Sequence, residues 1–191
     1  SPQGVLAVIN KKSAENTNNE NIKSIDTKNI TELQIDKNAD YILAIDGIQD
    51  PGNLGTIIRT ADSANLKQII VSKNTVDSYS PKVIRSTMGA IYRVNIIETE
   101  NLVETLEKLK EEGFKVVTTS LDTDNSVYDI SYDKSIVVIG NEANGVSKEV
   151  QDMSDYKVKI PMLGKTESLN ASVAAGIMIY EYVREKIMKK R

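Results

Sequence analysis

The residues able to do chemistry fall in three polar segments, each placed at or just after the end of an apolar run. They are Asp46–Asp62 (DGIQDPGNLGTIIRTAD), Ile139–Val146 (IGNEANGV) and Ile160–Glu181 (IPMLGKTESLNASVAAGIMIYE). The chain has no Cys and no His. That excludes thiolate nucleophiles, Ser-His-Asp triads, histidine bases and Cys/His zinc sites. A catalytic base has to come from Asp, Glu, Lys, Tyr or Arg. The groups of interest are Arg59, Asn53, Glu142, Ser168 and Asn170, and each also has a plain structural reading. Arg59 is a surface or ion-paired residue of a helix. Asn53 is a helix N-cap after Pro51-Gly52. Glu142 is an exposed turn residue before Ala143-Asn144-Gly145. Ser168 and Asn170 cap the last helix, with Val173, Ile177 and Tyr180 as one apolar stripe behind them. The third segment therefore reads either as an ordinary strand, loop and packing helix, or as a polar loop that ends on unpaired helix N–H groups and holds a small molecule.

These segments need a scaffold, and the hydrophobic pattern supplies one. Strands are predicted at Ile42–Ile45, Gln68–Val71, Ile91–Ile97, Lys115–Thr119, Ser135–Ile139 and Lys157–Ile160. Asp50–Asn53 reads as a turn, and the helix after it turns Leu54, Ile57, Ile58 and Ala61 inward. Ser80 caps a helix that runs from Pro81 to Met88. Leu102, Leu106 and Leu109 mark an amphipathic helix that Gly113 ends. The last helix runs from about Leu169 to Lys189, with basic residues at its C-terminal end. Alternation of this kind predicts an α/β fold, a parallel-rich sheet with helices on both faces. Ligands bind such sheets beyond the carboxyl ends of the strands. The three polar segments begin near Ile45, Ile139 and Ile160, so they converge on one site. No Gly-x-Gly-x-x-Gly follows a strand, so the sequence does not support a dinucleotide fold.

At 191 residues, 40% hydrophobic and 27% charged, the chain suits one soluble domain with a sizeable core. It carries no apolar run near the roughly 18 residues needed to span a membrane and no signal-like start, so a cytoplasmic location is expected. The net charge of −3 argues against broad non-specific nucleic-acid binding, though a local basic patch is compatible with it. Pro2–Ile9 reads as a short strand, and the Asn-, Lys- and Thr-rich stretch that follows, to Asp40, as a flexible polar linker. Ile30, Leu33 and Ile35 suggest one weak turn of helix or strand within it.

The three segments, in their order, resemble the three signature motifs of the SpoU family of RNA ribose methyltransferases, in the SPOUT superfamily. The resemblance spans Tyr41–Tyr182 and departs at no motif position. It implies a C-terminal trefoil knot, a bound S-adenosyl-L-methionine, and a homodimer in which two chains complete each site. It assigns catalytic roles to Arg59, Asn53, Glu142, Ser168 and Asn170. It places the cofactor at Thr119, Ser120, Gly140, Ile160, Met162 and Leu169. Neither a metal nor a membrane is implied. The implied reaction is methyl transfer to a ribose 2′-hydroxyl of RNA, with ribosomal RNA as the expected substrate and transfer RNA as the alternative. A non-catalytic RNA-binding or assembly module, or a base methyltransferase on the same fold, are the alternatives. An arginine base is chemically awkward, because its pKa is above ~12. Arg59 is therefore expected to hold phosphate and hydroxyl and to stabilise the developing alkoxide, the family proposal of arginine as base standing beside it. The Pro2-Gln3-Gly4 junction resembles members in which an RNA-binding domain of ribosomal-protein type precedes residue 1. The expectation is thus a junction and linker over residues 1–40 and a methyltransferase domain over 41–191. The last helix is expected to offer Ile179, Tyr182 and Val183 as the dimer contact.

Overall fold

A computed structural model describes residues 35–189. The strand read over Pro2–Ile9 and the polar stretch as far as residue 34 lie outside the described residues.

Six strands form one sheet: β1 (Tyr41–Asp46), β2 (Gln68–Ser72), β3 (Asn95–Thr99), β4 (Lys115–Thr119), β5 (Ser135–Gly140) and β6 (Tyr156–Val158). Their order is β3-β2-β1-β5-β4-β6, and every neighbouring pair is parallel. Successive side chains of a strand point to opposite faces, so a covered sheet makes two cores. Tyr41, Leu43 and Ile45 of β1 enter one core, and Ile42 and Ala44 the other. The first core holds α1 (Pro51–Ser63), α2 (Pro81–Ser86) and α5 (Ala171–Met188) through residues such as Ile57, Val83 and Met178. The second holds α3 (Leu102–Glu111) and α4 (Lys148–Met153) through Leu106 and Val150. The expected parallel sheet with helices on both faces is the fold observed.

The chain builds outward from β1 to β3 on one side and places β5, β4 and β6 on the other. The order reverses between β1 and β5, where Asp46 pairs with Gly140. The carboxyl ends of strands beside such a reversal are where open α/β sheets bind ligands.

Several boundaries differ from the sequence reading. Asp50–Asn53 is not a free turn: α1 begins at Pro51, and the Asp50 side chain accepts the Asn53 N–H at 2.9 Å. Asp50 is thus the N-cap, and Asn53 is released from that task. Proline suits the first helical position because its missing N–H would have no helical partner. The third strand starts at Asn95. Ile91 belongs instead to a 3₁₀ turn, Ala90–Tyr92, which buries Ala90 and Ile91 in the first core. The predicted helix to Met88 stops at Ser86, and Ser80 occupies its N-cap position without a side-chain capping bond. The sixth strand is Tyr156–Val158, so Ile160 lies two residues past its end. The short helix α4 had no clear periodic signal.

The largest reversal concerns α5. Asn170 caps it as expected, and the helix runs from Ala171. The stripe of Val173, Ile177 and Tyr180 is real, but it faces outward, with Val173 50% and Tyr180 49% exposed. Ala175, Met178, Ile179 and Tyr182 face the core instead. Ile179 is fully buried and Tyr182 stacks on Tyr41 at 4.5 Å, so neither is free to form a dimer contact. Among the described residues no helix is long and apolar enough to cross a membrane.

Candidate active site

The loops that leave β1 and β5 are laced together. Asp46 Oδ2 accepts the Ser147 N–H at 2.8 Å, and Asn141 Nδ2 donates to the Gly47 carbonyl at 2.8 Å. Asn141 and Gly145 exchange two backbone hydrogen bonds of 2.9 Å, closing a tight turn in which Gly145 takes φ +70. This turn lies directly on Gly140. A Cβ there would stand 2.0 Å from the Gly145 carbonyl carbon. The need for glycine at 140 therefore comes from the chain's own backbone, a stronger demand than the ligand approach expected from sequence.

Glu142 projects from this turn to the start of α1. Its Oε1 accepts the Asp50 N–H at 3.1 Å and Asn53 Nδ2 at 2.9 Å, and its Oε2 accepts the Gln49 N–H at 3.1 Å. A carboxylate at a helix N-terminus also meets the positive end of the dipole. Burial opposes ionisation, but the Asn53 amide and the backbone N–H groups of Gln49, Glu142 and Asp50 prevail, and the carboxyl titrates below its ordinary range.

Asn53 passes the connection on. Its Nδ2 is committed to Glu142, so its Oδ1 is left to accept Asn170 Nδ2, at 2.9 Å. Asn170 Oδ1 accepts the Ser172 N–H at 2.9 Å, Ser172 Oγ at 2.7 Å and the Val173 N–H at 3.4 Å. One residue from each of the three polar segments thus enters a single relay, Glu142–Asn53–Asn170. Glu142 makes no pair with Arg59; its carboxylate is taken up by Gln49, Asp50 and Asn53 at the start of α1.

Beside the relay, a cavity of about 570 Å³ opens beyond the carboxyl ends of β4, β5 and β6. All six residues expected at the cofactor line it: Thr119, Ser120, Gly140, Ile160, Met162 and Leu169. Glu142 and Ser168 line it as well. Its walls include apolar Ile139, Val146 and Val158, and its charged side chains are Asp122, Glu142, Glu167 and Lys159. Lys159 is paired with Asp124 at 3.5 Å, leaving an acidic balance at the rim. Among the described residues no cluster of acidic side chains could hold a metal ion.

Arg59 stands apart. It lies on the exposed face of α1, six residues beyond Asn53, or about 9 Å along the axis. It has no hydrogen-bond or ion-pair partner among the described residues and does not line the cavity. Sequence reasoning passed over Asp46, Gln49, Asp50 and Asn141, which hold the loops, and Asp122, Glu167 and Gln151, which line the cavity. For Asp46 and Asn141 a signal existed: each is a polar residue at the carboxyl end of a buried parallel strand, where side chains face the ligand crevice.

The fold and the relay define a parallel α/β domain with a pocket built from three ordered loops at the carboxyl edge of its sheet. The sequence model of the SpoU rRNA Methylase family matches residues 40–180, and the chain belongs to that family. A TrmH family tRNA/rRNA methyltransferase of Staphylococcus epidermidis is 39% identical over 146 residues, 76% of this chain and 59% of that protein. The AdoMet-bound rRNA methyltransferase from Sinorhizobium meliloti superposes with TM-score 0.72 and 34% identity, covering 76% of this chain and 56% of that one. A crystal structure of an RNA 2′-O ribose methyltransferase superposes with TM-score 0.73 and 28% identity, covering 85% of this chain and 62% of that one. The chain spans about three fifths of the length of the curated relatives it matches.

Proposed function

We propose that this domain transfers the methyl group of S-adenosyl-L-methionine to a ribose 2′-hydroxyl of RNA. The observation that carries the reading is the relay from Glu142 through Asn53 to Asn170, which ties three sequence-distant segments into one rigid frame beside a ligand-sized cavity. The cavity volume falls within the roughly 300–1,000 Å³ of small-molecule sites. Its make-up fits the cofactor: apolar walls for the adenine, main-chain edges at Thr119, Ser120 and Gly140, and an acidic rim for a ligand bearing a sulfonium and an ammonium. Ile160, Met162 and Leu169 are the walls in this reading. The bound cofactor supplies an activated methyl group, so the protein's task is mainly alignment.

The polar residues divide that task. Glu142, ionised and satisfied by α1, is a positioning group and not a base. Asn53 and Asn170 hold the two flanking loops at fixed orientation. Ser168, exposed at the cavity rim, presents a hydroxyl toward the incoming ribose. Arg59, exposed and unpartnered, binds the target phosphate and stabilises the developing alkoxide, while the 2′-oxygen takes the methyl group with release of S-adenosyl-L-homocysteine and the hydroxyl proton passes to solvent water.

Arg59 lies away from the cavity of its own chain, and α5 exposes an apolar stripe of Val173, Tyr180 and Ile187. Both features support a homodimer in which each chain's Arg59 serves its partner's cavity. The C-terminal trefoil knot is part of the same reading. Ribosomal RNA is the proposed substrate, in keeping with the family's description and the Sinorhizobium meliloti enzyme.

Calorimetric titration of S-adenosyl-L-methionine tests the first half: about one site per chain is expected, and no binding to a folded sample overturns the proposal. Incubation with ribosomal and transfer RNA pools, followed by alkaline hydrolysis, tests the second. Only 2′-O-methylation makes the linkage resist cleavage, so a methylated product that hydrolyses normally points to a base instead.

A further inference from the structure

The segment from Pro81 to Arg93 presents side chains that neither the cavity nor the core uses. Met88 is 70% exposed and Tyr92 57% exposed, both close to one tight reversal of the chain. Met88 has φ +50 and Gly89 φ +85. A non-glycine residue in the left-handed region is uncommon, and here it holds a large apolar side chain out into solvent. Lys82 and Arg85 on α2 are exposed and have no ion-pair partner among the described residues.

Arg59 borders this segment. Along α1, Gly55 packs on α2 so closely that a Cβ would lie 2.5 Å from Ser86 Cβ. Asp62 holds Arg93 through hydrogen bonds of 2.7 and 2.9 Å from its guanidinium. Arg59 lies four residues after Gly55 and three before Asp62, which puts it on the same side of the helix as both. The Met88–Gly89 reversal runs between Ser86 and Arg93, the two points at which this segment is fastened to α1. Arg59 and the reversal are therefore neighbours on one surface.

We infer that this surface is a platform for the single-stranded RNA that flanks the target nucleotide. Bases stack on Tyr92 and against Met88, and Lys82 and Arg85 hold the phosphates on a path that ends at Arg59. An aromatic face next to unpaired cations is the chemistry by which proteins hold single strands without reading sequence. The charge argument favours RNA over a protein partner. The chain is acidic overall, at −3, and yet Arg59 on α1 and Lys82 and Arg85 on the helix packed against it are exposed and unneutralised. The inference rests on the RNA-methyltransferase reading above and adds to it the route by which substrate reaches the site.

The test is fluorescence anisotropy of a fluorescein-labelled oligouridine titrated with the full chain at several salt concentrations, with calorimetry of S-adenosyl-L-methionine in parallel. Tyr92→Ala is expected to weaken oligouridine about 5- to 150-fold. The Lys82→Ser/Arg85→Ser pair is expected to reduce the slope of log affinity against log salt by about 1.4, at about 0.7 per phosphate contact on a single strand. Met88→Gly removes the side chain at a position where glycine is at ease, so its weakening of binding cannot be ascribed to unfolding. All these variants keep wild-type cofactor affinity. Oligouridine binding unchanged in the variants overturns the inference. So does a wild-type chain that takes up the cofactor but not the oligouridine, a result that leaves the cofactor reading intact. A change of mass in light scattering on Tyr92→Ala overturns it too, by assigning the face to a second copy of the chain. Failure of the cofactor titration alone counts against the proposed activity and not against this platform.

Discussion

Replacing Glu142 by glutamine isolates the charge that joins the loop after β5 to the start of α1. The carboxylate uses both oxygens: one takes Asp50 N–H and Asn53 Nδ2, the other Gln49 N–H. An amide has one acceptor. In its better orientation the substituted side chain keeps the Asp50 and Asn53 bonds and turns its own NH₂ toward the Gln49 N–H, donor against donor. A hydrogen bond is worth about 1 kcal/mol net, and the loss of a negative charge at a helix N-terminus costs about 0.3–1 kcal/mol. Because Glu142 is an exposed residue, the stronger values for buried charged bonds do not apply, and the total is about 1–2 kcal/mol. In a domain of this size that lowers Tm by about 2–8 °C. The native carboxyl titrates below its ordinary 4.5, so its ionised form stabilises the fold above that pH, and the contribution disappears as pH falls through the native value. The difference in Tm between wild type and Glu142→Gln, followed by circular dichroism, is therefore widest near neutrality and closes as the pH falls below the ordinary carboxylate range. A difference that stays constant with pH means that shape and not charge matters at this position. No difference at any pH refutes the relay.

Arg59→Ala should abolish methyl transfer to RNA while leaving S-adenosyl-L-methionine affinity near wild type by calorimetry. Arg59→Lys should not restore activity, since a point charge lacks the planar fork for phosphate, and transfer within a few fold of wild type removes Arg59 from its role. Gly140→Ala drives a methyl group into the Gly145–Val146 backbone. It should cost about 3 kcal/mol or more and weaken cofactor binding, and a wild-type melting curve contradicts the turn as described. Val173→Glu/Tyr180→Glu should convert a dimeric chain to monomers in light scattering. A wild-type chain that is already monomeric at micromolar concentration excludes the dimer.

The strands of this fold were legible because β1, β2 and β5 are covered on both faces, so each is a short unbroken apolar run. The shared site was legible for the same reason: polar residues must begin where such a run leaves the core. The orientation of α5 was not. That helix is apolar nearly all round, and a helix of that kind has no single face that periodicity can select. Packing chose Ala175, Met178, Ile179 and Tyr182, and it took Glu181 inside too, 7% exposed and held by Arg184 at 2.5 Å. The larger residues left outside, Val173 and Tyr180, are then the better candidates for a surface that another chain covers.

Capping and a positioning role are both readable at Asn170, and its side chain makes the cap and a tie to Asn53 at once. The side-chain oxygen is fully engaged by Ser172 and Val173, which fixes the flip of the amide and turns its NH₂ to Asn53. Asn170→Asp separates the two roles. Aspartate caps a helix as well as asparagine does, so α5 should keep its stability. The second oxygen, however, now meets Asn53 Oδ1, acceptor against acceptor. Asn53 cannot turn round without losing its bond to Glu142. The loop after β6 then loses its tie to α1, worth about one hydrogen bond, or about 1.4 kcal/mol in the reacting complex. Methyl transfer should fall about tenfold, and Tm by no more than about 2–4 °C, because the charge added at the N-cap gains about 0.3–1 kcal/mol from the helix dipole against the lost tie. A fall in Tm of about 8 °C or more means that the substitution disrupts the cap as well, and the loss of activity then reflects folding. Full activity means that the relay, although formed, does not position the reacting groups.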